Sequence, residues 1–450
     1  MIRTTLGEIA GVVGGRLVNA APETVVDGPV EFDNRLPLTG GLFVAFDGEK
    51  VDGHGFAAAA IAAGAAGVLG TRDTGEPGVV VTDQLDALAR LARFSLDRLP
   101  DLTVIGLTGS SGKTTTKDYI GQLLSRLGET VAPPGSLNNE LGHPYTALKA
   151  TAKTRFLVLE MGARGVGHIR HLTEVAPPRI GLVLNIGAAH VGEFGSLEQT
   201  ALAKGELVEA LPADGVAVLN ADDELVAAMA ARTAARVVFF GEADITDLRV
   251  DDRGRASFEL AGHPVRLGVA GRHQVANTLA AAAVAMAAGM PAADAAAALS
   301  EVRIKSVRRM DVFDRPDGVT VIDDTYNANP SSTAAALRSL ASMGTGRRTV
   351  AVLGYMAELG DQEVAGHREV GRLAAELGVD RLIAVSEQAR PILDGAAEVP
   401  GWTGRAELAA DQPAAIALLS PEEGDVVLVK GSRYRTWDVV DALRPEGVRP

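Results

Sequence analysis

Apolar positions along this chain follow two alternating rhythms. Short apolar runs rich in β-branched residues give way to longer segments with apolar residues three and four apart, the mark of strands alternating with helices. In the first hundred residues, Leu42–Phe46, Gly67–Leu69 and Val79–Val81 read as strands. Leu6–Val13, Phe56–Ala63 and Gln84–Leu99 read as helices, the last leading into the next domain. A second series follows at Thr103–Leu107, Phe156–Leu159, Gly181–Asn185, Val216–Asn220 and Val237–Phe240. Arg249–Leu267 breaks into shorter pieces, read as an antiparallel extension, before helices at 274–288 and 292–301. A third series runs through Val319–Ile322, Thr349–Leu353, Leu382–Val385 and Val426–Val429. Strand–helix alternation predicts parallel sheets covered on both faces. The class is therefore α/β with three domains: a small α/β domain over 1–100, a parallel-sheet domain over 101–313, and a Rossmann-like α/β domain over 314–450.

Polar residues gather where the predicted strands end, at Glu160, Asn185, Asp323-Asp324, Gly354 and Lys430. In doubly wound sheets ligands bind beyond those carboxyl ends. The most informative stretch is LTVIGLTGSSGKTTTK, residues 102–117. A buried strand leads into the small, glycine-rich Thr108–Gly112, and Ile120, Leu123, Leu124 and Leu127 then recur at helical spacing. Glycines let backbone N–H groups turn onto phosphate oxygens, and the helix N-terminus adds partial positive charge. The expected ATP contacts are Gly109, Ser110, Ser111, Gly112, Lys113, Thr114 and Thr115, with Lys113 on the outer phosphates and the Thr114 hydroxyl on Mg²⁺. The general phosphate-loop pattern wants glycine where Leu107 stands; here the first loop glycine is Gly109. The central domain is thus of the phosphate-loop ATPase type.

Composition narrows the field. The 450 residues carry a net charge of −14 and no basic run, which argues against a nucleic-acid partner. There is no cysteine, so disulfides and thiolate metal sites are excluded. The first fifteen residues lack a continuous apolar run, and Thr278–Met290 is too short to span a bilayer, so no signal peptide and no membrane insertion are expected. A cytoplasmic monomer is the expectation.

Three further residues bear on the chemistry. Glu160, leaving a buried strand, is a natural second partner for a metal on Thr114. His190 leaves another strand end on the same side, where metal or phosphate contact and a purely structural role are equally open. Lys204 sits in the predicted helix ALAKGELVEA. An ammonium is a poor neighbour for Mg²⁺, and neutralising it near pH 7 costs roughly 4–5 kcal/mol from a pKa of about 10.4. A carbamate on its nitrogen would reverse the charge and supply oxygen ligands.

With these segments in view, the chain resembles the Mur ligases, ATP-dependent amino-acid and peptide ligases of peptidoglycan synthesis, over essentially its whole length. The likeness runs through TGSSGKTTTK (108–117), GSLNNELGHP (135–144), EMGA (160–163), NIGAAHVGEFGS (185–196), ALAKGE (201–206), GRHQVANTLAA (271–281), DDTYNANPSS (323–332), LGYMAELG (353–360) and VKGSR (429–433). The resemblance implies two Mg²⁺ ions held by Thr114, Glu160, His190 and a carbamylated Lys204, with Lys113, His190 and Lys204 as the catalytic set. It implies Asn277 on the adenine, and Arg309 and Asp324 on the nucleotide from the third domain. It implies that the N-terminal domain holds the UDP end of a nucleotide sugar through Asn34 and Arg35, where the family usually has Asp-Ser-Arg rather than Asp33-Asn34-Arg35. Asn138, Asn139, Tyr326 and Asn327 are the implied peptide contacts. The LNNE-G-P and YNANPSS segments point to the branch that joins D-alanyl-D-alanine to UDP-N-acetylmuramoyl-tripeptide. Another Mur-type or folylpolyglutamate-type ligase is the alternative. A nucleotide switch is disfavoured, since no guanine-reading Asn/Thr-Lys-x-Asp follows the loop. Arg308 beside Arg309 leaves open which of the two faces ATP.

Overall fold

The computed structural model describes residues 1–48, 51–133, 135–187, 196–432 and 436–445. Three α/β units follow one another, each built on its own main sheet. The first has five strands in the order Arg16–Val18, Gly78–Val80, Gly67–Gly70, Leu42–Val44, Val30–Glu31, parallel except for the first pair. The predicted helix at Phe56–Ala63 is a 3₁₀ turn, Gly53–Phe56, running into a helix at Ala57–Ala62. The helix expected to reach Leu99 ends at Asp97.

The central sheet has six parallel strands in the order Arg236–Phe240, Val216–Asn220, Ile180–Val183, Thr103–Thr108, Phe156–Glu160, Thr130–Val131. Alternation along the buried strands feeds both faces. Ile105, Leu107, Val158 and Leu182 pack with the helices Lys113–Leu124 and Gln274–Ala287. Val183, Ala217 and Leu219 pack with the helix Leu197–Glu209. The region expected to extend this sheet instead forms a separate three-stranded antiparallel sheet, Ile245–Val250, Arg255–Leu260 and His263–Ala270. Its inward residues Phe258, Leu260, Val265 and Leu267 join the central core through side chains rather than through backbone pairing.

The third sheet has the order Asp311–Asp314, Thr320–Asp324, Val426–Lys430, Thr349–Gly354, Arg381–Val385, Arg405–Ala409, antiparallel only in the first pair. The two outer strands lack continuous apolar runs because an edge strand buries little, and the sequence pattern misses them. No helix among the described residues is long and apolar enough to cross a membrane.

The first unit docks on the second through a shared core. Val104, Ala147, Leu148, Leu157, Leu159 and Val175 of the central unit cluster with Leu6, Ile9, Leu69, Leu88 and Leu91 of the N-terminal unit. Beside this core the Tyr145 hydroxyl donates to Glu31 Oε2 at 2.6 Å, and Phe32 meets the Tyr145 ring edge-on at 5.0 Å. Burial and the Glu31 carboxylate push the Tyr145 hydroxyl well above its usual pKa, so it stays a donor. Tyr145→Phe leaves a buried carboxylate short of a partner and should cost about 1–3 kcal/mol, read as a lower thermal midpoint with unchanged secondary structure.

Candidate active site

The strand Thr103–Thr108 ends in the glycine-rich loop, and the helix Lys113–Leu124 begins directly after it. Gly112 has φ +78°, and a Cβ there would lie 2.4 Å from Asn277 Oδ1, so only glycine lets the loop pass beneath that side chain. The loop is braced by the end of the neighbouring strand. Ser110 N donates to Asn185 O at 3.0 Å and Ser111 N to Asn185 Oδ1 at 2.9 Å. Gly187 N donates to Ser110 Oγ at 2.9 Å. Thr115 is buried in the first helical turn, and Lys113 Nζ donates to Gly109 O at 2.8 Å.

Glu160, the last residue of its strand, is buried and fully engaged. Its Oε2 accepts from the Thr114 hydroxyl at 2.8 Å, and its Oε1 accepts from Ser136 Oγ and Asn138 Nδ2, each at 2.8 Å. Two adjacent oxygens around Mg²⁺ at about 2.1 Å each lie roughly 2.9 Å apart, so the Thr114–Glu160 spacing suits two ligands of one such ion. Among the described residues no three His, Cys, Asp or Glu side chains form a ready-made metal cage. Mg²⁺ sites typically use one or two carboxylates and borrow the remaining oxygens from phosphate and water. His190 lies outside the described residues.

Lys204 is buried in the helix Leu197–Glu209. Burial, and then the nearby charge of Lys113, lower its pKa to about 7. Lys113 is itself pushed below the ordinary lysine value by burial, with Glu160 opposing and Arg309 adding to the effect. Glu160, Lys204 and Arg309 thus each lie within electrostatic reach of Lys113.

The adjacent arginines separate cleanly. Arg308 and Met310 both take positive φ, +61° and +50°, and this twist sends Arg308 inward. Arg308 meets Asp441 at 2.9 Å and Asp323 at 3.8 Å, and lies over the Trp437 ring at 4.7 Å. Arg309 stacks over Tyr326 at 4.1 Å and leaves its Nε buried without a hydrogen-bond partner. Asp324 ends its strand in an ion pair with Lys430, which ends the adjacent one. Lys430 also donates to Asn327 O at 2.9 Å. Asn277 is buried, donating to Gln274 Oε1 at 3.0 Å and accepting from Thr116 Oγ1 at 3.4 Å. Asn139 Oδ1 accepts from Gly142 N, the first residue of the helix Gly142–Ala147, at 2.9 Å. Asn34 and Arg35 follow the strand Val30–Glu31, outside this cluster; there Arg35 holds the Asp33 carboxyl down to about 2 through a side-chain hydrogen bond. Asn185 and Lys430 stood out in the sequence as strand ends but not as site residues; their partners are far away in the chain.

Residues 107–285 match the model of the Mur ligase middle domain, and residues 308–433 that of the Mur ligase glutamate ligase domain. The chain belongs to the Mur ligase family. The UDP-N-acetylmuramoyl-tripeptide–D-alanyl-D-alanine ligase of Mycobacterium tuberculosis (strain ATCC 25618 / H37Rv) is 46 % identical, with 98 % of each chain covered. The Escherichia coli (strain K12) ligase of the same name is 35 % identical over 99 % of this chain and all of the other. In three dimensions, a crystal structure of MurF from Acinetobacter baumannii matches with TM-score 0.87 at 32 % identity over 98 % of both chains. The Thermotoga maritima MurF ligase in complex with ADP matches with TM-score 0.78 at 29 % identity, covering 92 % of this chain and 96 % of the other. These Mur ligases share the three-domain architecture, and ATP is the co-substrate that this ligase consumes.

The two arginines give opposite expectations. Arg308→Ala removes a buried guanidinium held by Asp441 and the Trp437 ring and should destabilise the C-terminal unit by about 1–3 kcal/mol in chemical unfolding. Arg309→Ala should cost less than about 1 kcal/mol of stability while weakening nucleotide binding measured by calorimetry.

Proposed function

We propose that this Mur ligase joins D-alanyl-D-alanine to UDP-N-acetylmuramoyl-tripeptide, converting ATP to ADP and phosphate, in the cytoplasmic assembly of the peptidoglycan precursor. The observation that carries this reading is the near-complete, 46 % identical coverage of relatives bearing that activity in their names. The loop geometry supports the ATP half independently. In this reading residues 1–100 hold the UDP end through Asn34 and Arg35. Residues 101–313 hold ATP, with Asn277 on the adenine. Residues 314–450 bring Arg309 and Asp324 to the nucleotide, and Asn138, Asn139, Tyr326 and Asn327 face the peptide substrates.

The chemistry follows from charge. A carboxylate is a poor electrophile and gives an amine no leaving group. Transfer of the γ-phosphoryl group to the tripeptide carboxylate makes an acyl phosphate, which the dipeptide amine attacks with release of phosphate. Lys113 lets go of the Gly109 carbonyl and neutralises phosphoryl oxygens as charge moves. Arg309, already stacked on Tyr326, meets the nucleotide from the C-terminal unit. Two Mg²⁺ ions, held by Thr114, Glu160, His190 and a carbamate on Lys204, would further neutralise those oxygens. Closure of the three units over the acyl phosphate keeps water from hydrolysing it.

The lowered pKa makes Lys204 unusually suited to carbamylation. At about 7, roughly half of the amine is neutral at pH 7, against less than about one part in a thousand for an unperturbed lysine. Neutral amine adds to CO₂ and releases a proton, so acid opposes the modification. Added bicarbonate should therefore raise activity more at pH 6 than at pH 8. Lys204→Ala should be nearly inactive and partly restored by short carboxylic acids, whereas Lys204→Arg should not be restored, since a guanidinium stays charged. Full activity of Lys204→Ala without added acid would rule the carbamate out.

A panel assay tests the reaction itself. Phosphate release should require ATP, UDP-muramoyl-tripeptide and D-alanyl-D-alanine together. Lys113→Ala should abolish that release while keeping the wild-type thermal midpoint. Release with single amino acids in place of the dipeptide would point to another member of the family.

A further inference from the structure

Immediately beyond the phosphate loop, the chain buries an ion pair that the ligation chemistry does not use. Lys117 and Asp118 lie on the helix Lys113–Leu124, and their charged groups meet at 3.2 Å with side chains only 4 % and 1 % exposed. A buried pair adds little net stability once desolvation is counted, so its placement calls for another explanation.

Each residue grips a different backbone segment. Lys117 Nζ donates to the carbonyls of Pro133 and, at 2.8 Å, of Gly135. The next residue, Ser136, donates to Glu160. Asp118 Oδ2 accepts from Ser306 N at 2.8 Å. Ser306 Oγ in turn accepts from Gly135 N at 3.0 Å, tying the two segments together. One turn further along, Gln122 grips Arg303 on both sides: its Oε1 accepts from Arg303 N at 3.0 Å and its Nε2 donates to Arg303 O at 2.8 Å.

Residues 303–306 connect the helix Ala292–Leu299 of the central unit to the strand Asp311–Asp314 of the C-terminal unit. Ile304, between the two gripped residues, packs against the cores of both units. Arg309 follows Ser306 by three positions. The helix that holds the phosphate loop therefore also fixes the start of the segment that carries Arg309.

We infer that Asp118 is a positioning residue: by holding the Ser306 amide it orients the C-terminal unit so that Arg309 reaches the nucleotide bound at Gly109–Thr115. This rests on the reading of Arg309 as a nucleotide contact. With its side chain only 1 % exposed, Asp118 acts through the connection between the units. Gln122 holds the same segment one helical turn away.

The test uses the full-length protein and four variants: Asp118→Ala, Asp118→Asn, Arg309→Ala and the Asp118→Ala/Arg309→Ala double. Asp118→Ala should lower kcat by about 30- to 100-fold, the scale of a misplaced catalytic group. Calorimetric ADP affinity should fall no further than it does in Arg309→Ala, because the phosphate loop itself is intact. Asp118→Asn keeps an oxygen for the Ser306 amide and should recover most of the activity. In the Arg309→Ala background, removing Asp118 should cost little more, since both changes silence one contact. Additive losses, or Asp118→Asn as impaired as Asp118→Ala, would overturn the inference.

A second readout does not depend on activity. The chain has no cysteine, so spin labels at Ala231→Cys and Ala365→Cys, both exposed, report the distance between the units. With ADP bound, Asp118→Ala should broaden or shift that distance relative to the doubly labelled parent. An unchanged distance would refute the orienting role. A normally active Arg309→Ala would remove the nucleotide reading of that arginine, and the label distances would still decide the role of Asp118. Should Asp118→Ala fail to fold, Gln122→Leu replaces it, with the same outcomes on each side.

Discussion

Two lysines and one buried carboxylate converge at the carboxyl end of the central sheet, and the cost of keeping their charges out of water governs the site. Glu160, Lys204 and Arg309 each lie within electrostatic reach of Lys113, and both lysines lie below their ordinary pKa, chiefly through burial. Buried positive charge is expensive, and a polyanion relieves it. A triphosphate supplies such a polyanion. The surrounding bonds make this tolerable: Glu160 has every near neighbour donating to it, and Asn185 stiffens the loop from the adjacent strand.

Much of this was legible in the sequence because strand, loop and helix are contiguous there. Gly112, Lys113 and Thr114 declare themselves within a few residues, and Glu160 announces itself as a charge closing an apolar run. Residues whose meaning depends on a distant partner were harder to read. Asn185 braces Ser111 from 74 positions away, and Lys430 closes on Asp324 across 106. The strand Arg405–Ala409 hid for a different reason: it buries too little to need apolar alternation. Adjacent arginines are identical in composition, and only the left-handed backbone at 308 and 310 sorts them into a buried strut and a stacked cation. The departure at Leu107 has a structural counterpart. That residue is fully buried in the strand, and the turn begins two residues later at Gly109.

The core shared by the first two units sets a limit on how this chain can be taken apart. A fragment beginning near residue 101 would keep the phosphate loop but uncover Val104, Leu157, Leu159 and Val175. Each such aliphatic side chain loses about 1.5–3 kcal/mol when returned to water. The uncovered residues lie side by side, so the fragment would present a sticky face rather than scattered apolar points. The nucleotide-binding half is therefore not a portable module: cutting it free of the N-terminal unit trades a folded interface for an aggregation-prone surface.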